Sequence, residues 1–154
     1  MKKELKFRDN DFEVDIDFNR DIYSRLTSDT EFYQGQDPII KFYLNNRNKI
    51  FSDELIEFLN LTGIDLTKEN EIYHYLSDNL VIIEGWYDIV GKVLTDKKVS
   101  YYWDTTPGTT NVFFGNDARH GISHEFENVG TFRFEFAIVI QSEILKSDKA
   151  SILE

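Results

Sequence analysis

The densest set of chemically capable side chains lies in Asn116-Asp117-Ala118-Arg119-His120-Gly121-Ile122-Ser123-His124-Glu125, which holds two of the chain's 3 histidines. Imidazole and carboxylate groups ligate zinc and other divalent ions, so Asp117, His120, His124 and Glu125 make a candidate metal set. A histidine pair can also act as acid and base, because imidazole titrates near neutral pH. Arg119 beside it would hold an anionic substrate. The spacing argues against both uses. His120 and His124 share a face only on a helix, and Gly121 weakens that helix. The segment reads as a polar loop between strands, and no catalytic residue is assigned from it.

A second set is Glu13, Asp15 and Asp17, alternating with Phe12, Val14, Ile16 and Phe18. Carboxylates serve as general bases or metal ligands where burial or a charged neighbour tunes them. A half-buried strand with one wet face accounts for these three at lower cost.

A third set involves recognition. In the run Leu80–Val90, Val81, Ile83, Tyr87 and Ile89 fall in one register, so Glu84, Trp86 and Asp88 share the opposite face. In Val99–Asp104, Tyr102 and Asp104 point out if Val99, Tyr101 and Trp103 point in. Were these two strands neighbours, Trp86 and Tyr102 would sit among Glu84, Asp88 and Asp104. An aromatic anchor with an acidic rim is the composition of a binding hot spot for a basic partner. The competing expectation is that helices cover this face, because Leu80, Ile82 and Val90 share its register and are apolar. Trp86 would then be ordinary core.

No glycine-rich phosphate loop, nucleophile elbow, HExxH or EF-hand loop occurs, and no cofactor is expected. The chain has 0 Cys, which excludes disulfides, thiolate nucleophiles and cysteine-ligated zinc.

The elements that must position these groups follow from periodicity. One strand is expected over Phe12–Phe18, then a short helical segment over Arg20–Leu26 with Ile22, Tyr23 and Leu26 as its stripe. Asp37-Pro38 is a helix start, with Asp as cap and Pro at the first turn, and Ile39, Ile40, Tyr43 and Leu44 on one face. Ser52 opens a second helix that buries Leu55, Ile56, Phe58 and Leu59 and stops near Gly63. The spacing predicts a third helix from Thr67, with Ile72, Tyr75 and Leu76 inward and His74 at its surface. Strands follow: Leu80–Val90, with Gly85 and Gly91 as bends, then Val99–Asp104, a hairpin through Pro107-Gly108 to Val112–Phe114, and Thr131–Ile140. A short helix over Gln141–Lys149 ends the chain, with residues after about 147 loose.

Helices segregated from a run of strands predict an α+β fold. It comprises an N-terminal strand, two or three short helices and a mainly antiparallel sheet of four to five strands. With 154 residues, 1–154 is expected to be a single domain. The 13 Phe, 8 Tyr and 2 Trp predict an aromatic-rich core. The balance of 17 basic to 28 acidic residues, net −11, disfavours nucleic acid and anionic membrane as partners and favours a basic protein. Met1–Arg8 has the charge of a signal n-region without an apolar stretch after it, so a cytoplasmic location is expected.

In composition and charge the chain resembles the bacterial immunity proteins that protect cells from contact-dependent or other polymorphic toxins. Those are small, acidic, cytosolic single domains, often rich in exposed Tyr, Trp, Asp and Glu. The richness in Lys, Asn and Ile suits a bacterial source. The resemblance implies a non-enzymatic inhibitor that occludes the active or substrate-binding surface of a basic toxin, of which a nuclease domain is one candidate. The alternative expectation is a small α+β enzyme or ligand-binding protein using the 117–125 loop.

Overall fold

Lys2–Phe7 (β1) and Asn10–Asp15 (β2) form an antiparallel hairpin whose turn begins at Arg8, a residue with φ of 53°. In this computed structural model, residues 2–27, 37–95, 99–104, 108–116 and 124–143 are described. The expected strand Phe12–Phe18 stops at Asp15, because the Asp15 carboxylate accepts from the Phe18 backbone N–H and caps a helix, Ile16–Arg25 (α1). Asp17 lies in that helix's first turn, while Glu13 stays on β2 and faces Lys2 at 3.8 Å. The alternating carboxylates are thus divided between a strand, a cap and a helix.

Pro38–Ile50 (α2) is capped by Asp37, which accepts from the N–H groups of Ile39 and Ile40. Asp53–Leu61 (α3) is capped by Ser52 and ends before Gly63, whose φ of 90° suits glycine. The third predicted helix is absent. Glu71–Ser77 is instead a strand (β3), joined to Leu80–Val93 (β4) by a two-residue turn whose first residue, Asp78, has φ of 53°. His74 accordingly lies on a strand opposite Ile83. Val99–Asp104 (β5), Thr109–Gly115 (β6) and Thr131–Gln141 (β7) complete the sheet, and His124–Phe126 makes one 3-10 turn before β7. Of the expected terminal helix, Ser142 and Glu143 are helical, and the rest falls outside the described residues.

The fold is α+β, with three helices and a mostly antiparallel seven-stranded sheet among the described residues, two or three strands more than the sequence suggested. The strand order is β1-β2-β4-β7-β6-β5, with β3 also paired to β4. β4 is the spine. One edge pairs along its length with β7, while the other is shared by β3 over Leu80–Trp86 and β2 over Gly91–Val93. The handover at Gly91 requires glycine: φ is 146°, and a Cβ there would lie 2.0 Å from the Glu13 carbonyl oxygen.

Between the two partners no strand among the described residues pairs this edge of β4, and side chains take their place. Asn70 accepts from the N–H of Asp88, the Tyr23 hydroxyl donates to the Asp88 carbonyl at 2.7 Å, and Asn19 both accepts from Val90 N–H and donates to its carbonyl. Buried backbone groups left without partners are costly, so these side chains are structural requirements.

The three described helices pack on one face of the sheet. Ring contacts there include Phe58 of α3 with Phe12 at 5.0 Å and Tyr43 of α2 stacked on Phe136 at 5.3 Å. Within this layer the buried Glu69 carboxylate accepts from Tyr43, Tyr87 and Arg47. Burial pushes the Tyr43 and Tyr87 phenols well above their usual range, and the Glu69 charge pushes both further.

Asn19→Ala is expected to lower unfolding free energy by about 3 kcal/mol, because it strands buried backbone groups of Val90 and Thr62. Urea denaturation checks this, and a loss below about 1 kcal/mol would mean that water replaces the amide.

Candidate functional site

The sheet face opposite the helices carries the residues singled out for recognition. Alternation along β4 buries Val81, Ile83, Tyr87 and Ile89 on the helix side and turns Glu84, Trp86 and Asp88 the other way. On β5, Tyr101 and Trp103 are half-buried, with the Trp103 indole donating to the Ile50 carbonyl at the end of α2. Tyr102 therefore points to the other face and is 73% exposed. Asp104 is exposed on the same side.

The assumed pairing of β4 with β5 does not occur, since β7 and β6 lie between them. The ladders still align the two strands laterally. Glu84, Ala137, Asn111 and Tyr102 form one row across four strands, and Trp86, Glu135, Phe113 and Ser100 form the next. Trp86 and Tyr102 thus share a face but stand three strand spacings apart, about 14 Å.

Asp88 is the residue that sequence reasoning misplaced. It is 0% exposed and bound by Arg133, whose Nε lies 2.8 Å from Oδ1. Burial pushes the Asp88 carboxyl up from its ordinary value, and the Arg133 guanidinium pulls against that shift. With its charge enclosed and matched, Asp88 cannot reach a partner. Arg133 also stacks on Trp86, with Cζ 4.3 Å from the ring centroid, so the pair props the indole.

The face extends onto β3, which a helical reading had hidden. Tyr73 and Tyr75 are 38% and 42% exposed, and their hydroxyls both donate to Glu84, one to each carboxylate oxygen. Desolvation and the hydrogen bond to Glu84 raise the Tyr73 phenol well above its usual value. The exposed Glu135 and the half-buried Phe113 were also missed, although both alternate with buried neighbours on clear strands. A depression of about 230 Å³ opens on this face, and its described lining is all strand residues, including Tyr73, Glu84, Trp86, Asn111, Phe113 and Glu135. The Trp86 Nε1 is buried with no acceptor among the described residues.

The other candidate set lies mostly outside the described residues. Asp117 and His120 fall outside the described residues, as does the side chain of His124, and Glu125 sits half-buried in the 3-10 turn. No metal-capable group of His, Asp and Glu occurs among the described residues. His74 meets the Asp37 carboxylate at 2.7 Å, which ties the start of α2 to β3. Among the described residues no helix is long and apolar enough to cross a membrane.

Comparison with protein-family models, with curated proteins and with solved structures gives no match.

Arg133→Met leaves the Asp88 charge buried and alone, and is expected to cost about 3–5 kcal/mol in chemical denaturation. Adding Asp88→Leu should recover most of that loss. A double variant no more stable than the single one would contradict the account of the pair.

Proposed function

We propose that the open sheet face is the docking surface for a basic protein. In this reading the chain acts as an inhibitor, occluding its partner's active or substrate-binding surface as an immunity protein does for a toxin. One observation carries it: Trp86, Tyr73, Tyr75, Phe113 and Tyr102 share a face with Glu84, Glu135 and Asp104, and among the described residues no helix residue lines its depression. Tyr and Trp supply large contact area at little entropic cost, which makes them the residues over-represented among binding anchors. The carboxylates around them, with the net charge of −11, speed encounter with a cationic surface and repel anionic ones. A rigid sheet held from behind by an aromatic core loses little freedom on binding. Glu84, Trp86, Tyr102 and Asp104 remain as partner-contacting residues, with Tyr73, Tyr75, Phe113 and Glu135 added and Asp88 moved to support.

Co-purification with the protein encoded immediately upstream, and with its C-terminal domain alone, tests this reading. The expected result is a complex with a basic C-terminal domain that weakens as salt rises. Trp86→Ala should reduce its affinity about thirtyfold, and Glu84→Lys with Asp104→Lys should slow association. Absence of a complex, or one indifferent to salt and to all three changes, would contradict it.

A further inference from the structure

We infer that the depression beside Trp86 is a receptor for a single guanidinium or ammonium group, and that the partner fills it with an arginine or lysine side chain. The second clause rests on the docking reading above, whereas the first stands on the geometry of the depression alone.

Ala137 forms a low floor in the middle of the sheet, flanked by Glu84 on β4 and Asn111 on β6. Glu135 precedes Ala137 by two residues on the same face of β7, so Glu84 and Glu135 are diagonal neighbours whose backbone positions lie about 7 Å apart. Carboxylates on such neighbours repel each other, and a cation between them converts the repulsion into two attractions. Trp86 and Phe113 flank Glu135 in the adjoining row, and Tyr73 closes the β3 side. Aromatic ring faces attract cations, the indole most strongly. That this indole accepts a guanidinium is already visible in Arg133, stacked 4.3 Å from its centroid.

The receptor is also held in shape before any ligand arrives. Tyr73 and Tyr75 donate to opposite oxygens of Glu84, fixing the carboxylate while leaving it lone pairs that can accept further hydrogen bonds. Among the described residues no lysine or arginine lines the depression, and Arg133, next to it, binds Asp88. Anions would meet two negative charges there. A neutral amide would gain neither the Coulomb nor the cation–π attraction. The site thus selects for positive charge on a group compact enough to lie over Ala137.

The test follows the indole N–H resonance of Trp86 in nitrogen-labelled protein, with that of Trp103, on the helix-covered face, as internal control for the fold. N-acetylarginine methylamide, N-acetyllysine methylamide and the uncharged N-acetylcitrulline methylamide are titrated separately. The expected result is a saturable Trp86 shift with one or both cations and none with citrulline. In Glu84→Gln/Glu135→Gln the apparent affinity should fall roughly fivefold or more, with Trp103 unmoved. No shift with either cation, an equal shift with citrulline, or an undiminished response in the double variant would overturn the inference. The two readings fail separately. A partner complex without the cation response removes the receptor and leaves docking, whereas a cation response without a partner complex does the reverse.

Discussion

The fold depends on how the second edge of β4 is satisfied between the ladders of β3 and β2, where no strand among the described residues lies beside it. β3 ends its ladder at Trp86 and β2 begins at Gly91, so the groups of Asp88 and Val90 on this edge face a gap. Asn70, Tyr23 and Asn19 close it, the first from the segment before β3 and the other two from α1. The same contacts fix α1 and the segment before β3 against the sheet. Sheet continuity and helix docking are therefore one arrangement, and disturbing either disturbs both.

Placing α1, α2 and α3 together on one face has a consequence for the other. The helix side takes nearly all the phenylalanine rings, with Phe12, Phe114, Phe132, Phe134 and Phe136 fully or almost fully buried. The opposite side must then be tolerable to water, yet it carries Trp86, Phe113, Tyr73, Tyr75 and Tyr102 alongside carboxylates. Aromatic groups gathered on an open face, anchored by a buried ion pair and hydrogen-bonded to Glu84, suit contact with another molecule better than contact with water alone. The ion pair adds little net stability, since desolvating two charges offsets most of their attraction. What it contributes is a fixed position for the indole.

Much of this was legible in the sequence, and the failures have physical causes. The caps at Asp37 and Ser52 and the alternation in β4 and β7 are strong local signals, and the structure follows them. Glu71–Ser77 was misread because Ile72, Tyr75 and Leu76 satisfy a helical spacing over a stretch too short to arbitrate. Its two tyrosines and the Asp78-Asn79 turn pointed to a hairpin. β1 was missed because its lysines resemble an exposed arm, and a strand ladder is a non-local property. Asp88 looked like a surface carboxylate because its match, Arg133, lies 45 residues away and becomes adjacent only through the β4–β7 register. The relation of Trp86 to Tyr102 likewise depended on strand order, which local pattern does not encode.

Hydroxyl-radical footprinting of the free protein and of its complex with the proposed basic partner tests the central claim most directly. The account predicts rapid oxidation of Tyr73, Tyr75 and Tyr102 in the free chain, little at Tyr23, Tyr43 and Tyr87, and protection of the first group on binding. Slow labelling of the first group in the free chain, or a complex that leaves it as reactive as before, would contradict an open face used for recognition.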